Sequence, residues 1–175
     1  MKAALRSLTL HRLVVLITFV GVFAMAMRTP LETDTLWHLR AGEWQVEQRA
    51  LLREDLFSTS RYGEEWINHS WLSQIVLFGL YRLMGSLGLA LYTALLAAGG
   101  MFFVYLQGEA NALLKGFVIA LAAAAAAVFW SPRPHMVSFL MSAVILYLLW
   151  LYRRRQIDRL WLIPALMVAW VNLHG

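Results

Sequence analysis

The sequence predicts an all-α fold: a polytopic transmembrane helix bundle with a large first extracytoplasmic loop that carries interfacial helices. Three observations predict it. The 175 residues are 61% hydrophobic and 14% charged, with a mean hydropathy of +0.62, where a soluble domain carries roughly 25% charged residues. Apolar runs recur at about 13–29, 71–84, 87–107, 116–131, 136–152 and 160–172, each judged against the about 20 residues needed to span about 30 Å of hydrocarbon. Acids are concentrated between Glu32 and Glu65, where eight of the ten fall, so one segment alone is polar enough to stand in water. The composition also excludes classes. With no cysteine there are no disulfides, iron–sulfur clusters or thiolate zinc sites. The net charge of +5 is scattered at the ends of apolar runs and not gathered on a soluble face, which argues against nucleic acid as a partner.

The elements follow in order. The basic start MKAALRSLTLHR and the apolar run after it have the layout of a signal peptide, but the run is about as long as a spanning helix. MRTPLE, which follows, offers no small-x-small cleavage site, so 13–29 is read as an uncleaved first crossing. Lys2, Arg6 and Arg12 place the N-terminus in the cytoplasm, because cytoplasmic ends collect basic residues, and residues 30–70 then form the outer loop. Within it, Thr33 or Asp34 caps a helix through Trp37, His38, Ala41 and Trp44 to Gln48. Asp34 and His38 are four apart and share a face. Ala41, Gln45 and the adjacent Gly42 are small or polar, so that face suits a close approach by a helix or a ligand. Asp55, Ser58, Thr59 and Ser60 read as a turn rich in side-chain to backbone bonds, with a reversal at Tyr62–Gly63. Trp66 and Trp71 read as interfacial anchors.

The run 71–84 gives about 14 apolar residues before Arg82 and the Gly85, Gly88 turn, which suits a helix lying along the interface. If it crossed, Arg153, Arg154, Arg155 and Arg159 would fall outside, against the charge rule. If it lies flat, these residues and Lys115 fall inside, while SPRPH at 131–135 and NLHG at 172–175 join the outer loop. Five crossings result: 13–29, 87–107, 116–131, 136–152 and 160–172. The last is short and the sequence stops at Gly175, so residues 1–175 read as one membrane domain that is the N-terminal fragment of a larger bundle.

That topology gathers chemistry on one face. Asp34 is either a helix cap, worth about 1 kcal/mol, or a carboxylate facing a cavity at the membrane surface as general base or metal ligand, helped by His38. Arg133, fixed between Pro132 and Pro134, is either a charged cap between helices or a planar fork for phosphate. His69, His135, Asn172 and His174 come to the same side.

A basic first helix, a loop opening Asp34-Thr-Leu-Trp-His38, a DLFS turn at 55–58, Gly63-x-x-Trp66-x-x-His69 leading into a helix that ends MGSLGL, and later RPH and NLHG together resemble bacterial membrane proteins of the GT-C glycosyltransferase superfamily. More distantly the chain is similar to protein O-mannosyltransferases, the aminoarabinose transferase that modifies lipid A and the catalytic subunit of oligosaccharyltransferase. The resemblance implies a multi-pass protein of the bacterial inner membrane whose partners are membrane lipids and a polyprenyl-phosphate-linked sugar donor. It implies transfer at the extracytoplasmic face and an essential acid at Asp34, as base or as ligand to a divalent cation, magnesium or manganese. Arg133 maps onto an arginine-bearing loop beside the donor phosphate, and His38, His69, His135, Asn172 and His174 are candidates for orienting groups. The chain departs from the pattern at Ser70, where relatives often carry an acid. Two other classes remain open. One is a non-enzymatic membrane subunit whose loop is a docking platform. The other is a transporter, which ordinarily shows an ionisable residue at mid-span; the crossings here show none.

Overall fold

The computed structural model describes residues 9–28 and 32–174. Lys2 and Arg6, which support the expected orientation, and the terminal Gly175 lie outside the described residues. Among the described residues there are seven α-helices: α1 (Leu10–Ala26), α2 (Thr33–Gln48), α3 (Trp71–Met84), α4 (Ser86–Gln107), α5 (Ala112–Ala126), α6 (His135–Arg155) and α7 (Leu162–His174). A 3-10 turn, Ala127–Phe129, prolongs α5. Paired extended chain among these residues is limited to a single antiparallel bridge, Glu54 to Glu65.

Three helical stretches are long and apolar enough to cross a membrane: Ser86–Gln107, Ala112–Phe129 and His135–Arg155. At 1.5 Å per residue, the 17 residues of α1 rise about 25 Å, the 14 of α3 about 21 Å and the 13 of α7 about 20 Å. Length alone therefore does not set α3 apart from α1 and α7. Direction does. At the end of α1, Arg28 donates to Ala127 O, while Gly116 near the start of α5 faces Val14 and Thr18 of α1. Tyr92 near the start of α4 reaches Arg133 O, and Tyr105 near its other end lies against Lys115. α6 runs from His135 beside Arg133 to Arg155, and α7 returns, so that Asn172 meets Trp71. The helices α1, α4, α5, α6 and α7 thus alternate in direction between two ends of the bundle. Lys115 and Arg153–Arg155 mark one end; α2, α3 and the segment 49–70 sit at the other.

Several helix bounds differ from the sequence reading for local reasons. α1 ends at Ala26, short of 29, where the Arg28 side chain turns back to bond Met25 O at 2.9 Å, a cation satisfying a free C-terminal carbonyl. α5 begins at Ala112, ahead of 116, because the Asn111 side chain accepts from Leu114 N at 2.9 Å. The cap of α2 is Glu32, not Thr33 or Asp34, and no side chain closes it. Asp34, one residue into the helix, points its carboxylate at Arg133 instead.

The small face of α2 is buried against α3. A Cβ on Gly42 would lie 2.2 Å from Gln74 O and 2.9 Å from Phe78 Cβ, so only glycine lets the two backbones come this close. Leu77, also on α3, is fully buried. Segment 49–70 is organised by its own polar groups. Asp55 Oδ1 accepts from Phe57 N and Ser58 N, and the Ser58 hydroxyl donates to Oδ2 at 2.6 Å. These bonds hold the Asp55 carboxyl below its ordinary range, the Ser58 hydroxyl first. Gly63, at φ +81°, makes the reversal.

Candidate functional site

α2 brings Asp34 and His38 to the rim of the bundle, the chain entering α3 brings His69, the SPRP turn brings Arg133, the start of α6 brings His135, and the end of α7 brings His174. All six line one cavity of about 190 Å³, with Trp37, Ser70 and Pro134 completing its wall. Their sequence positions run from 34 to 174, so the cavity is a product of the tertiary fold. Asn172 does not join them. Its Oδ1 accepts from Trp71 Nε1 at 3.2 Å and its Nδ2 donates to Val168 O, so it ties α7 to α3, as does Ser73 by donating to Leu173 O at 2.6 Å.

The electrostatic centre is Arg133. Its Nη1 donates to Glu32 Oε1 at 2.7 Å, and its Nη2 forms an ion pair with Asp34 Oδ2 at 2.9 Å. The guanidinium thus bridges two acids at the entry to α2. Its Nε is buried and has no partner among the described residues. Glu32 is held below the usual carboxylate range, first by a hydrogen bond from Ser131 and then by Arg133, against the opposing effect of burial. Asp34 Oδ1 is left without a partner among the described residues. Beyond Arg133 lies a second cavity of about 410 Å³, walled by Glu32, Ser131 and His135 together with Val128 and Phe129, residues that are 80% and 75% exposed. Arg133 and His135 belong to both cavities.

The histidines differ in kind. His38 is 8% exposed, stacks on Trp37 with ring centroids 4.2 Å apart, and has Nδ1 3.5 Å from Gln74 Nε2. Burial, then the positive charge of Arg133, pushes its pKa down to about 4, so it is neutral at physiological pH. Gln74 in turn forms a two-way amide pair with Asn68 at 2.8 and 2.9 Å and accepts from Gln45 at 2.8 Å, so the ring rests on a fixed polar platform. His135 Nε2 is 2.9 Å from Phe129 O; a carbonyl only accepts, which puts the proton on Nε2. His69 is exposed and lies 6.1 Å from His174 between ring centroids.

Among the described residues no three histidine, aspartate or glutamate side chains converge as a metal site. A guanidinium 2.9 Å from Asp34 is a repulsive neighbour for a cation, so the residues present do not fit a magnesium or manganese ion at Asp34.

Compared with protein-family models, curated proteins and solved structures, the chain matches none.

Residues that carry this geometry escape sequence reasoning in three places. Glu32 has no motif, only its position two before Asp34. Ser138, which bonds His174, lies on α6 without any pattern to mark it. Gln74 reads as an ordinary polar residue of an interfacial helix, although it is fully buried.

Proposed function

We propose that the protein is a membrane glycosyltransferase of GT-C type. It transfers a sugar from a polyprenyl-phosphate-linked donor at the extracytoplasmic face, with five helices crossing and α3 lying along the outer interface. The observation that carries this reading is the convergence of Asp34, His38, His69, Arg133, His135 and His174 on one cavity. A lipid-linked donor suits the second cavity, because exposed Val128 and Phe129 flank it and can meet an acyl or prenyl chain, while Arg133 and His135 join it to Asp34.

In the reaction, the acceptor hydroxyl oxygen attacks the anomeric carbon and the bond from that carbon to the phosphate oxygen breaks. The phosphate leaves with the electron pair, and Asp34 Oδ1 takes the hydroxyl proton. Arg133 holds Asp34 through Oδ2 and stabilises the departing phosphate. To reach Arg133 Nη1 directly, that phosphate replaces Glu32, so Glu32 keeps the guanidinium neutralised until the donor arrives. His135 and His174 orient the donor, and neutral His38 supports the Asp34 turn of α2.

One observation favours a second reading, a non-enzymatic membrane subunit: both Arg133 Nη groups are already satisfied by acids, as in a purely structural clamp.

The experiment is a transfer assay in membranes from cells expressing the chain's own gene, using farnesyl-phosphate-linked hexoses and pentoses. Wild type transfers at least one of them, and Asp34→Asn lowers that rate by about 10²-fold or more. Rates in Asp34→Asn equal to wild type, or no transfer from any donor while the protein is folded and inserted, give the subunit reading.

A further inference from the structure

Trp170, Ser138 and His174 form a chain of hydrogen bonds whose first link has its direction fixed by chemistry. Trp170 and His174 are four apart on α7 and share a face, and that face packs on α6 at Ser138. An indole N–H only donates, so Trp170 Nε1 gives its proton to Ser138 Oγ, 2.7 Å away. Ser138 then has one proton to give. Its acceptor among the described residues is His174 Nδ1, at 2.6 Å. When Nδ1 accepts that proton it carries no hydrogen of its own, and in the neutral imidazole the proton then sits on Nε2. His174 lines the 190 Å³ cavity and Ser138 does not. Nδ1 is thus turned into the helix interface and Nε2 is left for the cavity.

We infer that Ser138 and Trp170 are positioning residues that hold His174 as its Nε2–H tautomer, so that the cavity presents a neutral N–H donor to an oxyanion of the phosphoryl class. The tautomer is inferred from the two contacts of Ser138; the assignment of the oxyanion to a donor phosphate rests on the transferase reading. A donor whose tautomer is already fixed needs no reorganisation when negative charge develops beside it. Being uncharged, it also adds no repulsion to Arg133, which faces the same space.

The test uses the full chain in detergent micelles with ¹⁵N-labelled histidine, the His174 signals being assigned by loss in His174→Gln. Wild type is expected to show His174 Nδ1 unprotonated and Nε2 protonated, a result that needs no variant. In Ser138→Ala the two nitrogens average between tautomers, and Ser138→Thr, which keeps the hydroxyl, restores the wild-type pattern. Protonated Nδ1 in wild type, or an unchanged tautomer in folded Ser138→Ala, overturns the relay. If Ser138→Ala fails to fold, Trp170→Phe is read in its place, with the same averaging expected and an unchanged tautomer again overturning the relay.

Inorganic phosphate and farnesyl phosphate are then titrated separately. The Nε2–H signal is expected to shift with an affinity about tenfold weaker in Ser138→Ala than in wild type. A shift with farnesyl phosphate alone identifies a lipid-linked source, and equal shifts with both identify recognition of the phosphoryl group by itself. No shift with either, while the tautomer is as stated, overturns the oxyanion assignment and leaves the relay intact. Donor transfer in membranes with no phosphate response at His174 removes this residue from the site without removing the transferase.

Discussion

At the scale of single residues, the site is a set of groups whose protonation is fixed by their neighbours. His38 is the case with the largest consequence. Its pKa falls from an ordinary 6.5 to about 4 because the ring is buried, so the unfolded chain takes up a proton at a pH where the folded chain does not. Stability is then level above about pH 6.5, is lost as pH falls from 6.5 towards 4, and levels again below, with a total loss of about 3 kcal/mol. Urea unfolding in micelles at pH 7.5, 5.5 and 4.5 checks this: His38→Gln flattens that part of the pH dependence, and an equally steep loss in the variant contradicts the assignment. The residue types are legible in the sequence, since Asp34, His38, His69, Arg133, His135 and His174 are among its titratable groups in segments that the charge rule puts on one face. Their pairing is not. That Arg133 bridges Asp34 and Glu32 depends on a contact across about a hundred residues, which no local spacing encodes.

At the scale of elements, α2 and α3 form the platform under the cavity, and their contact is set by glycine. Gly42→Ala puts a methyl group into the Gln74 backbone and forces the helices apart, with an expected cost of about 1–3 kcal/mol and a disturbed amide platform beneath His38. Gly79, on α3 itself, has open space where a Cβ would go, so Gly79→Ala is expected to gain up to about 1 kcal/mol from helix propensity. Thermal unfolding of the two variants side by side separates a loss of packing from a generic effect of alanine; equal shifts contradict the close approach. The helix from Asp34 to Gln48 and its small face were readable from the four-residue spacing and the Ala41–Gly42 pair. Its cap was not, because Asp34 has the chemistry of a cap and a tertiary partner outbids the local one. The length of α3 was readable too, but 14 residues do not set it apart from α7, with 13. The directions of the helices make the distinction.

At the scale of the whole molecule, the fold places Lys115 and the Arg153–Arg155 cluster at one end and the site residues at the other. α6 alone separates His135 from Arg155 by 20 residues, about 30 Å, which is the thickness of a hydrocarbon core. The charge rule reached this separation from Lys115 and the triple arginine, because the cost of translocating basic residues is written in the sequence; the convergence of the loops into one cavity is not, since it depends on packing between distant helices. The central claim is that the whole site faces outward on one side of the membrane. The chain has no native cysteine, so single cysteines at Ser60, exposed in segment 49–70, and at Gln156, exposed beyond α6, report the two ends cleanly. A membrane-impermeant maleimide added to intact cells is expected to label the cysteine at 60, and the one at 156 only after permeabilisation. Labelling of 156 from outside with 60 protected would turn the cavity to the cytoplasm and contradict transfer from a donor at the outer face.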